Sequence, residues 1–98
     1  MEDLGSTTVM KLRGDENWAN WKFQVRLVLL DKGLLDIVTQ GRPKELDAKK
    51  EMTPEDRKLD ATAQRIIGTA VSESVITHLL GCTSAHAMWG KLHEVYEL

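Results

Sequence analysis

Three histidines and the single cysteine of this chain, His78, Cys82, His86 and His93, fall within one short stretch near its C-terminal end. The run His78-x3-Cys82-x3-His86 could supply three zinc ligands if all lay on one unbroken helix, because residues four apart share a helical face. Gly81 and Thr83 interrupt that run, so the spacing does not survive the local punctuation and no metal site is expected. As a nucleophile, Cys82 would need a base held against it and a group to orient that base. No glycine-rich oxyanion or phosphate loop accompanies it, and the carboxylates are scattered or balanced by neighbouring lysines. A small cysteine at a helix corner reads as packing. Neither an enzyme nor a cofactor is expected.

Two further patterns invite a binding function. The segment SVITHLLGCTSAHAMWGKLHEVY has the glycine-containing turn of a helix-turn-helix, and its second helix would read bases with Ser84, His86, Lys91 and His93. The same helix carries Glu94 and Glu97, and the chain has a net charge of −2. That balance lacks the phosphate-contact term that dominates affinity for nucleic acid, so a helical hairpin in a bundle is the preferred reading. Trp18, Trp21 and Trp89 could form an aromatic cage or a stacking platform. Their helical spacing beside Val25, Leu29, Met88 and Leu92 places them in a core instead, with Trp18 partly exposed at its helix start.

The elements that would carry these residues follow from the size and pattern of the chain. Its 98 residues suffice for one compact domain, and 42% hydrophobic with 29% charged residues is an ordinary globular balance. A lone cysteine fits a reducing compartment. The opening MEDLGSTTV resembles neither a secretory signal nor a myristoylation site, and no apolar run reaches the roughly 20 residues of a membrane span. A cytoplasmic domain without membrane contact is expected.

Along the chain, residues 1–8 read as a flexible N-terminus and Val9, Met10 and Leu12 as an extended lead-in that tucks under a helix. Arg13-Gly14-Asp15 reads as a turn rather than an adhesion tripeptide. Asn17 is the expected N-cap of a first helix over 17–32, with Gly33 as its stop. At 100° per residue, Trp18, Trp21, Val25, Val28 and Leu29 form one stripe, and Phe23, Leu27 and Leu30 lie on the other side. A helix apolar on two faces is buried on two faces or shows one to another chain.

A short helix over 34–39 continues the apolar surface through Leu34, Leu35, Ile37 and Val38. Residues 40–53 read as a charged loop, and over 39–60 six basic residues face six acidic ones, a balance that argues for a solvated stretch rather than a binding patch. Thr53-Pro54-Glu55-Asp56 opens a helix over 54–71: a cap, a proline at the first helical position, and two acids at the positive end of the dipole. Its apolar face would hold Leu59, Ala63, Ile66, Ile67, Ala70 and Val71. A shorter helix over 73–80 would carry Val75, Ile76, Leu79 and Leu80. The last, over 84–97 and capped by Thr83, lines up Ala85, Met88, Trp89, Leu92 and Tyr96. No segment shows the two-residue alternation of a half-buried strand, so the expectation is all-α: a compact bundle of about five helices in one domain spanning 9–98.

Two blocks of this pattern resemble one family. KLRGDENWANWKFQVRLVLLDKGLLDIV (11–38) is similar to the opening of Gag from copia-type LTR retrotransposons, where an apolar and glycine lead precedes an aromatic, x-x-Trp and an apolar helix. ATAQRIIGTAVSESVITHLLGCTSAHAMWGKLHEVYEL (61–98) resembles that family's small-residue helix, Leu-rich turn and Thr-Ser/Ala-x3-Trp-x2-Leu-x3-Tyr sequence. The matching residues are Gly14, Trp18, Trp21, Leu29, Leu30, Leu34, Ile67, Leu79, Thr83, Ala85, Trp89, Leu92 and Tyr96, with a weak match across 39–53.

The resemblance implies the N-terminal lobe of a capsid region, a structural piece that self-associates into a virus-like shell. In that family a second lobe and a basic tail with a Cys-Cys-His-Cys knuckle follow, so this piece alone should not hold RNA. Trp18, Trp21, Val25, Leu29, Ile67, Leu79, Trp89, Leu92 and Tyr96 would be its core. The stripe with Trp18 and Trp21 would pack on helix 54–71 and on Trp89. Phe23, Leu27, Leu30 and Leu34 would either meet the hairpin 75–96 or face another subunit. The alternative is a domesticated Gag-derived adapter that holds a host protein's helix or peptide in a groove between helices.

Overall fold

The computed structural model describes residues 10–42 and 51–97. The fold is all-α, and the described residues form five helices in the order α1 (Trp18–Asp31), α2 (Leu35–Gln40), α3 (Pro54–Thr69), α4 (Glu73–Ile76) and α5 (Ala85–Tyr96). A 3₁₀ turn, Asp15–Asn17, leads into α1. The N-terminal stretch 1–8 and most of the charged loop expected at 40–53 lie outside the described residues.

Local chemistry explains most of the boundaries. At α3 the expected cap is present as a closed box: Asp56 N–H donates to Thr53 Oγ1 at 3.1 Å, and Thr53 N–H donates back to Asp56 Oδ2 at 3.1 Å. Gly33, at φ +72°, and Gly41, at φ +83°, supply the left-handed residues that end α1 and α2. Gly41 has a second reason to lack a side chain, since a Cβ there would stand 3.3 Å from the His86 ring.

The fourth helix is shorter than the spacing suggests, four residues instead of 73–80. Beyond it the chain continues as tight turns, His78 N–H to Val75 O, Leu79 N–H to Ile76 O and Cys82 N–H to Leu79 O. The β-branched run Val75-Ile76-Thr77 favours that departure from α geometry. Leu79 is thereby buried while Leu80, expected beside it, is 76% exposed. Leu59 is also more exposed than its place in the α3 pattern suggests. The cap of α5 is Ser84 rather than Thr83, its Oγ accepting from Ala87 N–H at 3.0 Å.

Helix α5 packs against α2 and α3, and α2 also meets α3 and α1. His86 ties two of them together, its Nδ1–H donating to Val38 O at 2.8 Å. The lead-in is extended as expected and engages the end of α3. Leu12, fully buried, bridges Val71, with Leu12 N–H donating to Ala70 O at 2.9 Å and Ser72 N–H to Leu12 O at 2.9 Å.

Candidate functional site

An aromatic cluster forms where α1 crosses α5. Trp18 stacks on Trp21 with centroids 5.7 Å apart, Trp21 lies 6.0 Å from Trp89, and His93 and Tyr96 close on Trp18 from α5. Each indole nitrogen of α1 has a distant acceptor. Trp21 Nε1–H donates to Ala70 O at 2.7 Å, a carbonyl that also takes the Leu12 N–H. Trp18 Nε1–H donates to Glu97 at 3.1 Å, and Lys22 pairs with the same carboxylate oxygen. Those two donors, Lys22 first, hold the Glu97 carboxyl below its ordinary range, while Tyr96 is pushed up by burial and then by Asp15 and Glu16.

Trp18 is therefore buried, not partly exposed. Once its ring packs against Trp21, His93 and Tyr96 and its N–H is satisfied by Glu97, nothing holds it at the surface. Asn17 is a second correction. It occupies the capping position without capping: its Oδ1 accepts from Arg13 N–H at 3.0 Å and its Nδ2–H donates to Lys11 O at 2.9 Å. The side chain stitches the lead-in to α1, and it is buried. Asp60, which reads in sequence as one more solvated acid, has a structural partner: from α3 its Oδ1 accepts Ala85 N–H at 2.9 Å, placing a carboxylate on the first turn of α5.

The expected core residues Trp18, Trp21, Val25, Leu29, Ile67, Leu79, Trp89 and Leu92 are all buried, and Tyr96 is half-buried against them. Val28, assigned to the same stripe, is half-buried. The stripe reaches α3 at its end, through Ala70, and α5 through Trp89.

The second stripe divides. Leu34, at 1% exposure, sits in the core and leaves the candidate partner face, because the chain turns at Gly33 and folds it inward. Leu34 N–H donates to Leu29 O at 2.7 Å as that turn closes. Phe23, Leu27 and Leu30 do not meet the 75–96 hairpin. They are 63%, 45% and 54% exposed, one row along α1 on the side opposite the tryptophans.

A second feature is a groove of about 390 Å³ between α3, the 76–82 turns and α5, lined by Gly68, Ile76, Leu79, Leu80 and Met88, with Arg65 at its side. Cys82 is part of its wall and is a free thiol. Among the described residues no three His, Cys, Asp or Glu side chains converge as metal ligands. The His93 Nδ1–H is directed to Trp89 O at 2.8 Å, Ser84 caps its own helix and Lys91 pairs with Glu94 at 3.2 Å, so three of the would-be base readers have partners within α5. No described helix is long and apolar enough to cross a membrane.

Comparison of the chain with protein-family models, curated proteins and solved structures finds no match.

Proposed function

We propose that this domain is a structural building block that associates with copies of itself, as its resemblance to the capsid region of copia-type Gag implies. The observation that carries this reading is the exposed row Phe23, Leu27 and Leu30, set on the face of α1 opposite its fully buried one. Contiguous apolar side chains of that size on a small domain mark a contact surface. One such contact is weak, but repetition in a cytoplasmic virus-like shell multiplies it. The reading requires no enzyme chemistry, cofactor, nucleic acid or membrane.

Light scattering coupled to size exclusion, over a wide range of protein concentration, tests it. A mass that rises with concentration and falls back in Leu27→Ser supports self-association. A strict monomer at every concentration overturns it for this domain. The groove beside Leu80 favours a second reading, a domesticated adapter that holds a host helix or peptide. There a strict monomer would bind its partner with chemical-shift changes confined to Gly68, Leu80 and Met88.

A further inference from the structure

The exposed face of α1 has more order than a row of apolar residues. Numbered as a heptad, Asn20 and Leu27 take a positions and Phe23 and Leu30 take d positions, and all four are exposed. Trp18, Trp21, Val25 and Leu29 then fall at f, b, f and c, the far side of the helix, and are buried. A helix laid along the a/d seam would displace none of the core. The seam is flanked by Arg26 at g and Asp31 at e, five residues apart.

That spacing matters. In a parallel, in-register helix pair the g residue of one chain lies beside the e residue of the next heptad on the other. Arg26 of each copy would meet Asp31 of its neighbour, twice per pair. In an antiparallel pair like flanks meet, so no antiparallel register joins Arg26 to Asp31. Both side chains are exposed, and neither makes an ion pair among the described residues. Asp31 is also poorly placed for its own helix, because a carboxylate in the last turn opposes the dipole. A cation from outside the chain would relieve it. Asn20 at an a position is the residue type that selects register and a two-stranded partner, at some loss of affinity.

From this seam we infer that the partner of α1 is the α1 of a second copy, packed parallel and in register around a two-fold axis along the helices. This rests on the self-association reading and specifies its geometry. The 14-residue helix offers two heptads, so the contact forms at high protein concentration and needs repetition to persist.

Sedimentation equilibrium on three samples tests it: Arg26→Glu alone, Asp31→Arg alone, and the two mixed. Either substitution turns both inter-copy attractions into repulsions, so each variant alone should dimerise about tenfold more weakly than the parent, or not at all. The equimolar mixture restores an attractive pair on both flanks and should associate as the parent does. Unchanged thermal unfolding of both variants shows that the fold is intact. Parent-like dimers of both single variants, with association still lost in Leu27→Ser, would keep self-association and overturn the parallel register. Arg26→Glu pairing more tightly with the parent than either does with itself would overturn it in favour of like flanks meeting. A parent chain that stays monomeric throughout overturns both the pairing and the reading beneath it.

Discussion

The two sides of α1 are made of similar residues with different fates. One side sinks Trp18, Trp21, Val25 and Leu29 into the molecule; the other leaves Phe23, Leu27 and Leu30 in water. The difference lies in what each side finds across from it. The buried side meets Trp89, His93 and Tyr96 of α5, and its indole nitrogens find acceptors at Ala70 and Glu97. Among the described residues, no group satisfies a polar side chain on the exposed side and no element covers it. Apolar content therefore measures demand for a partner, not its location. A chain that keeps an unmet demand on a rigid helix is suited to meeting it between molecules.

The strongest test of that contrast is to empty the buried side. Trp21→Ala and Trp89→Ala should each cost about 3–5 kcal/mol, a large part of the roughly 5–15 kcal/mol that holds a small domain folded. Chemical denaturation would read the loss; parent-like midpoints would mean that the aromatic cluster is not the core. Next comes a leucine pair that straddles the boundary. Leu34→Ala should cost about 2–5 kcal/mol, whereas Leu30→Ala should stay within about 0.5 kcal/mol. Equal effects would erase the distinction between the faces.

The Asp60 cap is smaller. Asp60→Ala should destabilise by about 1 kcal/mol, with amide exchange quickened at Ala85 in the first turn of α5, and Asp60→Asn should recover part of the loss by keeping an acceptor. Leu27→Ser should leave the unfolding temperature almost unmoved while shifting the concentration dependence of the mass, the reverse of Trp21→Ala.

The least effect belongs to Glu97, an exposed carboxyl whose proton affinity is lowered by Lys22 and then Trp18. A depressed carboxyl favours the fold above the ordinary glutamate range of about 4.3 and loses that contribution as pH falls through its folded value. Lys22→Ala should flatten this acid-side slope slightly in unfolding curves measured between about pH 5 and 2. A slope identical to the parent's would remove Lys22 from the account.

Much of this is legible in the residues alone. Thr53-Pro54-Glu55-Asp56 named its helix start because caps and dipoles act within one turn, and the tryptophan stripe emerged because a helix repeats every 3.6 residues. Other residues misled for equally physical reasons. Asn17 has the chemistry of an N-cap, but its amide spans two loop groups, Lys11 O and Arg13 N–H, that compete for the same side chain. Trp18 looked half-exposed because its acceptor, Glu97, lies 79 positions away along the chain. Asp60 gave no signal at all, since a carboxylate on a polar helix face is common and its donor belongs to another helix.

The chain's order of residues alone determined five helices, their approximate starts, and which side chains share a face, since each depends on neighbours within a turn or two. Only the tertiary structure decided which face is covered. It buried Leu34 by turning the chain at Gly33 and left Phe23, Leu27 and Leu30 uncovered. Periodicity sorts residues into faces, but burial is settled by the distant segments that arrive to cover them, and no local pattern records which segments those will be.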